Sequence, residues 1–291
     1  MSPGGTTARP APISWFFARP PVLPGFGLSF GISSLFIALV ILFPLSALLL
    51  YVADMTWAQY WQAITDPRVT ASYRVTLGAA ALSTLAATAI GLLLAWIVSR
   101  YDFPGRRLID SLVDLPFALP TAVAGITLST LLVPGGWYGQ WFAKLGWKIA
   151  YAYPGIVAAM IFTSLPFVVR SVQPVLQDMS PEYEEAARTL GATRWQIFWR
   201  VIVPAMVPAI VAGSSQAFIR SLGEFGAVIM IAGNIPFKTE VTSLMIFVRL
   251  QEFNYPAAAA IASVVLLTSL ALLFLLQVAQ GRLLGWQRRM A

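Results

Sequence analysis

Six stretches of the chain carry no charged side chain: 30–53, 75–99, 115–143, 149–169, 201–219 and 253–281. About 20 apolar residues cross the hydrocarbon core of a bilayer as a helix, so the pattern predicts six transmembrane helices near 30–53, 75–99, 112–134, 154–177, 203–232 and 257–280. Spanning strands would alternate apolar and polar over about ten residues, and the Leu266-Leu267 and Leu272-Leu273 doublets break that pattern. The predicted fold class is an all-α integral membrane bundle. The first 29 residues hold six prolines and four glycines and read as a disordered tail before an uncleaved first helix. Residues 135–153 and 233–256 are Gly-, Pro- and aromatic-rich connections. Within the second, 241–250 is too short to span and reads as an interfacial or re-entrant helix. No internal repeat and no second soluble domain is evident.

Composition sharpens this picture. Of 291 residues, 58% are hydrophobic and 11% charged, against roughly 25% charge in soluble domains. Cys and His are absent, which removes disulfides, thiolate or imidazole metal sites and His-based triads. A net charge of +7 would suggest nucleic acid in a soluble protein, but its distribution points to membrane lipid, and no nucleic-acid partner is expected. Arg9, Arg19, Arg100, Arg106, Arg107, Arg188, Arg194, Arg200, Arg282, Arg288 and Arg289 fall on one side of the six spans. Arg68, Arg74, Lys144, Lys148, Lys238 and Arg249 fall on the other. Cytoplasmic segments hold the positive excess, so both termini are predicted to be cytoplasmic.

One loop on the Arg-rich side, 178–204, has its own local structure. Ser180 is a suitable N-cap, Pro181 suits the first helical position, and Glu182, Glu184 and Glu185 complement the positive helix end. Gly191 supplies a left-handed residue to close that helix, and Thr193 with Gln196 makes a capping box for the next. Tyr183, Ala187 and Leu190 form an apolar stripe on a helix too short to be stable alone. Either it packs as an ordinary interfacial helix or it fills a partner's groove.

The series Glu185-Ala186-Ala187, three residues, Gly191, nine residues, Val201-Ile202-Val203-Pro204 resembles the signature loop of ABC-importer permeases, Glu-Ala-Ala-x3-Gly-x9-Ile-x-Leu-Pro, with two conservative valines. Further stretches narrow the resemblance to sulfate/thiosulfate permeases of the CysT type. They are Arg100-Tyr-Asp-Phe-Pro-Gly-Arg-Arg-Leu, Asp114-Leu-Pro-Phe-Ala-Leu-Pro-Thr-Ala-Val-Ala-Gly, Leu165-Pro-Phe-Val-Val-Arg-Ser-Val-Gln-Pro and Arg220-Ser-Leu-Gly-Glu-Phe-Gly-Ala-Val. The continuation from Ile231 to Phe253 favours sulfate over the similar, usually shorter, molybdate permeases.

The resemblance covers about 25–280. It implies a six-transmembrane-helix type I ABC importer permease spanning 30–280, with cytoplasmic tails at 1–29 and 281–291, in the bacterial inner membrane. The loop 178–204 would carry a coupling helix seated in an ATPase cleft, through Glu182, Tyr183, Glu185, Ala186, Ala187, Leu190 and Gly191. Partners would be a homologous second permease (CysW-type), a dimer of the ABC ATPase (CysA-type) and an extracytoplasmic sulfate/thiosulfate-binding protein. The chain lacks a Gly-x4-Gly-Lys-Ser/Thr loop, so it is not expected to be an enzyme and needs no cofactor. ATP-Mg would bind the partner ATPase.

Charges within the spans are the remaining signal. Arg220 and Glu224, four residues apart in the fifth span, would share a helix face, and a central charge costs about 2.5–3.5 kcal/mol unless it meets protein, water or a partner. They read either as a structural pair at a subunit interface or, with the neighbouring Ser221, as an anion route or gate. Arg170 reads as snorkelling to the interface or as a further anion-pathway residue. The competing classes are a molybdate or tungstate permease, a stand-alone secondary transporter, which would show inverted repeats, and a membrane enzyme, whose carboxylate cluster is explained here by helix capping.

Overall fold

The computed structural model describes residues 26–290, with the backbone alone at 279 and 282–290. It divides into two compact units, Met1–Leu48 and Leu49–Ala291. The described part of the first lies in a helix, α1 (Phe26–Ala53), which loosens into a π turn at Ala38–Leu42 and has no buried residue. This helix is apolar on all sides and contributes no buried residue to a core. The helix starts four residues inside the expected tail, and the rest of that tail lies outside the described residues.

In the second unit the helices are α2 (Trp57–Thr65), α3 (Pro67–Arg100), α4 (Arg106–Val113), α5 (Leu115–Ala118), α6 (Thr121–Leu132), α7 (Gly139–Lys144), α8 (Tyr153–Asp178), α9 (Pro181–Thr189), α10 (Arg194–Leu222), α11 (Gly226–Ile231), α12 (Thr242–Gln251) and α13 (Tyr255–Met290). Among the described residues, α1, α3, α8, α10 and α13 are long and apolar enough to cross a membrane. The segment 112–134, expected as a sixth span, is instead three short helices. Pro116 and Pro120 account for this, because each lacks an N–H and crowds the preceding turn. The fifth span is displaced as well. It begins at Arg194 and stops at Leu222, where Gly223 is the C-cap, and the chain resumes as α11.

Small residues set the packing. Ala79, Ser83, Ala87, Gly91 and Ala95 recur every four residues along α3 and are all buried, a stripe that lets α8 approach closely. A Cβ on Gly91 would stand 2.9 Å from the Val168 side chain, and one on Gly213 of α10 would meet Ser171 at the same distance. Gly125 of α6 lies against the backbone of Ala227 in α11. Two apolar clusters result. Ile156, Met160, Val228, Ile231 and Leu244 join α8 to α11 and α12. Val113, Val169, Val172, Leu176, Ile197, Ile202 and Met206 join α4, α8 and the start of α10. The segment read as interfacial or re-entrant is the helix α12, held to α3 by Thr242, whose N–H donates to Thr76 Oγ1 at 2.8 Å.

At the outset of α3, Asp66 accepts from the N–H groups of Arg68 and Val69, and Pro67 occupies the first helical position. This cap starts the helix eight residues before the charge-free window at 75–99. The C-terminal helix likewise runs on to Met290 through the expected tail at 281–291.

Candidate functional site: the capped loop helix and the intramembrane charges

The loop 178–204 folds as its residues dictate. Ser180 caps α9 by accepting from the Glu182 N–H at 3.3 Å, and Gly191 closes it at φ +80°. The Thr193–Gln196 capping box opens α10 with both reciprocal bonds present. The turn then widens into a π segment at Phe198–Ile202 just before Pro204.

α9 turns one side inward and one outward. Ala187 packs against the cluster containing Leu176 and Ile197. Tyr183 is 65% exposed and Leu190 88% exposed, and Glu182, Glu185 and Ala186 are also exposed. The predicted stripe is thus split: Ala187 is packed inward, and Tyr183 and Leu190 form an exposed surface.

A clamp that the sequence did not suggest holds α9 in place. Arg100, the last residue of α3, pairs with Glu184 at 2.7 Å, donates to Met179 Sδ and lies 5.4 Å over the Trp96 ring. Read in sequence, Arg100 was one loop cation among many and Glu184 a helix-end charge. Only their juxtaposition across 84 positions shows that the end of a long spanning helix grips the loop helix.

Arg170, 33% exposed, is held by partners within the chain. Its Nε and Nη2 donate to the two carboxylate oxygens of Asp114 at 2.8 and 2.6 Å. Nη1 donates to Asp110 Oδ1 and to Gln173 Oε1, and Nη2 also donates to the Asp110 carbonyl. A guanidinium has five N–H donors, and all five are engaged. The arginine fastens the proline-broken segment α4–α5 to α8, a role invisible in sequence because Asp110 and Asp114 lie some 60 positions away.

Arg220 and Glu224 do pair, with Nη1 and Oε2 2.6 Å apart, but not as neighbours on one helix face. Glu224 stands in the break after α10, 1% exposed, and its Oε1 accepts from the Ala227 N–H at the start of α11. Its Oε2 is buried without a hydrogen bond, so the charge of Arg220 is its compensation. The Arg220 side chain is 33% exposed. Ser221 is fully buried, and Ser83 of α3 donates to its hydroxyl at 3.3 Å. A second pair has the same form outside this region. Arg68 grips the buried Glu240 in bidentate fashion, Nε to Oε2 at 2.8 Å and Nη2 to Oε1 at 2.5 Å.

The family described as binding-protein-dependent transport system inner membrane component matches residues 87–288, the part of the chain that contains both the loop helix and the charges. The chain belongs to this family. It is 62% identical to the sulfate transport system permease protein CysT of Escherichia coli (strain K12) over 90% of its own length and 94% of that protein. It is 47% identical to the probable sulfate transport system permease protein of Zygnema circumcarinatum over 84% of its length. Among solved structures it resembles a chain of the bacterial alginate ABC transporter in complex with its alginate-bound periplasmic protein, with a TM-score of 0.70 at 20% identity, covering 86% of this chain and 91% of that one. A methionine ABC transporter chain gives 0.56 at 18% identity, covering 78% and 97%. At these identities the structural likeness speaks for the type I ABC permease fold alone. The chain is a non-enzymatic, multi-pass inner-membrane component of an ABC transporter.

Proposed function

We propose that the chain is the pathway subunit of an ATP-driven sulfate importer that also accepts thiosulfate. The observation that carries the substrate is the 62% identity to a sulfate permease over 90% of the chain. The geometry that supports the mechanism is α9, capped at both ends, clamped by Arg100 and presenting Tyr183 and Leu190 outward. Such a surface suits the cleft of a separate ATPase. In this reading Glu182, Glu185 and Ala186 line the contact, Ala187 roots the helix in the permease, and Gly191 allows the corner to transmit movement into α10.

The membrane crossing is sixfold, with the broken α4–α6 segment as the third passage and both termini cytoplasmic, as the arginine distribution favours. The permease domain covers 30–280, between tails at 1–29 and 281–291. A homologous second permease, two ATPase copies holding ATP-Mg and an extracytoplasmic binding protein complete the machine. Arg220, braced by the buried Glu224, faces the shared pathway. The arginine has donors beyond its one carboxylate and a third of its surface open, which suits a tetrahedral dianion passing by. Arg170 and Ser221 are assigned to the framework instead, since their polar atoms are engaged within the chain.

The test is uptake by vesicles containing the whole assembly, scored separately for sulfate, thiosulfate, molybdate and tungstate. ATP-dependent accumulation of sulfate and thiosulfate, abolished without the binding protein, is expected. Preferential uptake of molybdate, or uptake that follows an ion gradient without ATP, would overturn the reading.

A further inference from the structure

Beside α9 lies a cleft of about 320 Å³ lined by Arg100, Arg188 and Arg194, by Glu184, and by an apolar wall that includes Trp96, Ile197, Phe198 and Ile202. It sits where α3 ends and α10 begins, at a shared end of two membrane-spanning helices. Three guanidinium groups face one carboxylate. Glu184 is taken up by Arg100 at 2.7 Å and reaches Arg188 at only 3.4 Å, and Arg194 makes no ion pair among the described residues. Exposed indole rings flank the cleft at Trp195 and Trp199, the amphipathic residues that settle at headgroup depth.

We infer that this cleft binds the headgroup of an anionic phospholipid, with the phosphodiester held by Arg188 and Arg194 and an acyl chain lying along Trp96, Phe198 and Ile202. Arginine is suited to such a head because its planar fork meets phosphate oxygens two at a time. A free inorganic anion would use the arginines but leave the apolar wall unmatched, whereas a lipid satisfies both. The bound head lies against the Arg100–Glu184 clamp, so the lipid ties the loop helix to the membrane surface. The lipid site stands on the cleft alone. Only its effect on ATP turnover depends on the coupling role proposed for α9.

The test uses the complete transporter assembly, delipidated, titrated with phosphatidylglycerol or phosphatidylcholine, and read by native mass spectrometry. The wild type should retain phosphatidylglycerol over phosphatidylcholine. The double change Arg188→Gln/Arg194→Gln should weaken that retention roughly tenfold or more, and Arg194→Gln alone, an exposed position that spares folding, about fivefold. Arg107→Gln, which removes an exposed arginine on the same side but outside the cleft, should leave it unchanged. Equal retention by Arg194→Gln and wild type, no lipid preference in the wild type, or displacement of the lipid by millimolar phosphate or sulfate would each overturn the inference. In nanodiscs, phosphatidylglycerol should raise the ATP turnover of the wild type more than that of Arg194→Gln. If retention differs but turnover does not, the lipid site stands and the coupling role of α9 falls.

Discussion

Two arginines inside the bundle are held in opposite ways. Arg170 has all five donors satisfied, by two aspartates, a glutamine and a carbonyl, and so its position is over-determined. Arg220 meets a single carboxylate, and among the described residues its other donors are not engaged. The first arrangement fastens a proline-broken segment to a helix. The second tolerates a buried acid while leaving the cation able to respond to a passing charge. In the proposed mechanism, the number of donors that the chain itself satisfies is what separates a framework arginine from a pathway arginine, since the two side chains are equally exposed at 33%.

That contrast is broken most severely by Arg220→Ala. It leaves Glu224 buried and uncompensated, which costs about 3–5 kcal/mol when one partner of a buried pair is deleted. Recovery of the assembled transporter should collapse, and Arg220→Ala/Glu224→Ala should restore part of it, as measured by co-purification with the partner subunits. Transport should stay lost in the double variant. Additive losses without recovery would contradict the pairing.

Arg170→Ala comes next. Asp110 and Asp114 are 37% and 48% exposed, so water relieves part of the loss, and about 2–3 kcal/mol of destabilisation is expected from the charged hydrogen bonds removed. A thermal melt of the purified assembly reads it. Arg170→Lys should recover only a fraction, because an ammonium has three donors and cannot form the bidentate contact to Asp114. Should Arg170→Lys match the wild type in stability, the five-donor account fails.

Gly191→Val has a smaller effect on stability, of order 1–3 kcal/mol, since a β-branched residue is forced to a positive φ. No atom lies within 4 Å of the position a Cβ would take, so the penalty is one of backbone conformation alone. Gly191→Asn should therefore be nearly neutral. The expected phenotype of the valine variant is an assembled transporter with ATP turnover no longer stimulated by the loaded binding protein. The smallest effect on stability is that of Tyr183→Ala or Leu190→Ala, which remove exposed side chains and should leave the melt within about 0.5 kcal/mol while lowering that stimulation.

The loop helix was legible in the sequence because its signals are local. Ser180, Pro181, Gly191 and the Thr193–Gln196 box each act within four residues, and each appears in the structure as expected. The spans were legible as apolar runs, but not their ends. Asp66 extends α3 well past its apolar window, and a window average is blind to Pro116 and Pro120, which break the third run. The charge partners were legible least. Arg170 finds Asp110 and Asp114, Arg100 finds Glu184, and Arg68 finds Glu240 across separations set by tertiary packing, and no periodicity announces them. Arg220 and Glu224 were paired for a partly mistaken reason. The four-residue spacing brings them together, but across the end of α10 rather than along it.

The most direct measurement on the central claim, that α9 is where the ATPase acts, exploits the absence of cysteine from the chain. Leu190→Cys in the assembled transporter, with single cysteines placed around the ATPase cleft, should form a disulfide between the two subunits under mild oxidation, in a yield that changes between nucleotide-free and ATP-bound states. An intact assembly in which Leu190→Cys forms no bond to the ATPase in either state would contradict the account.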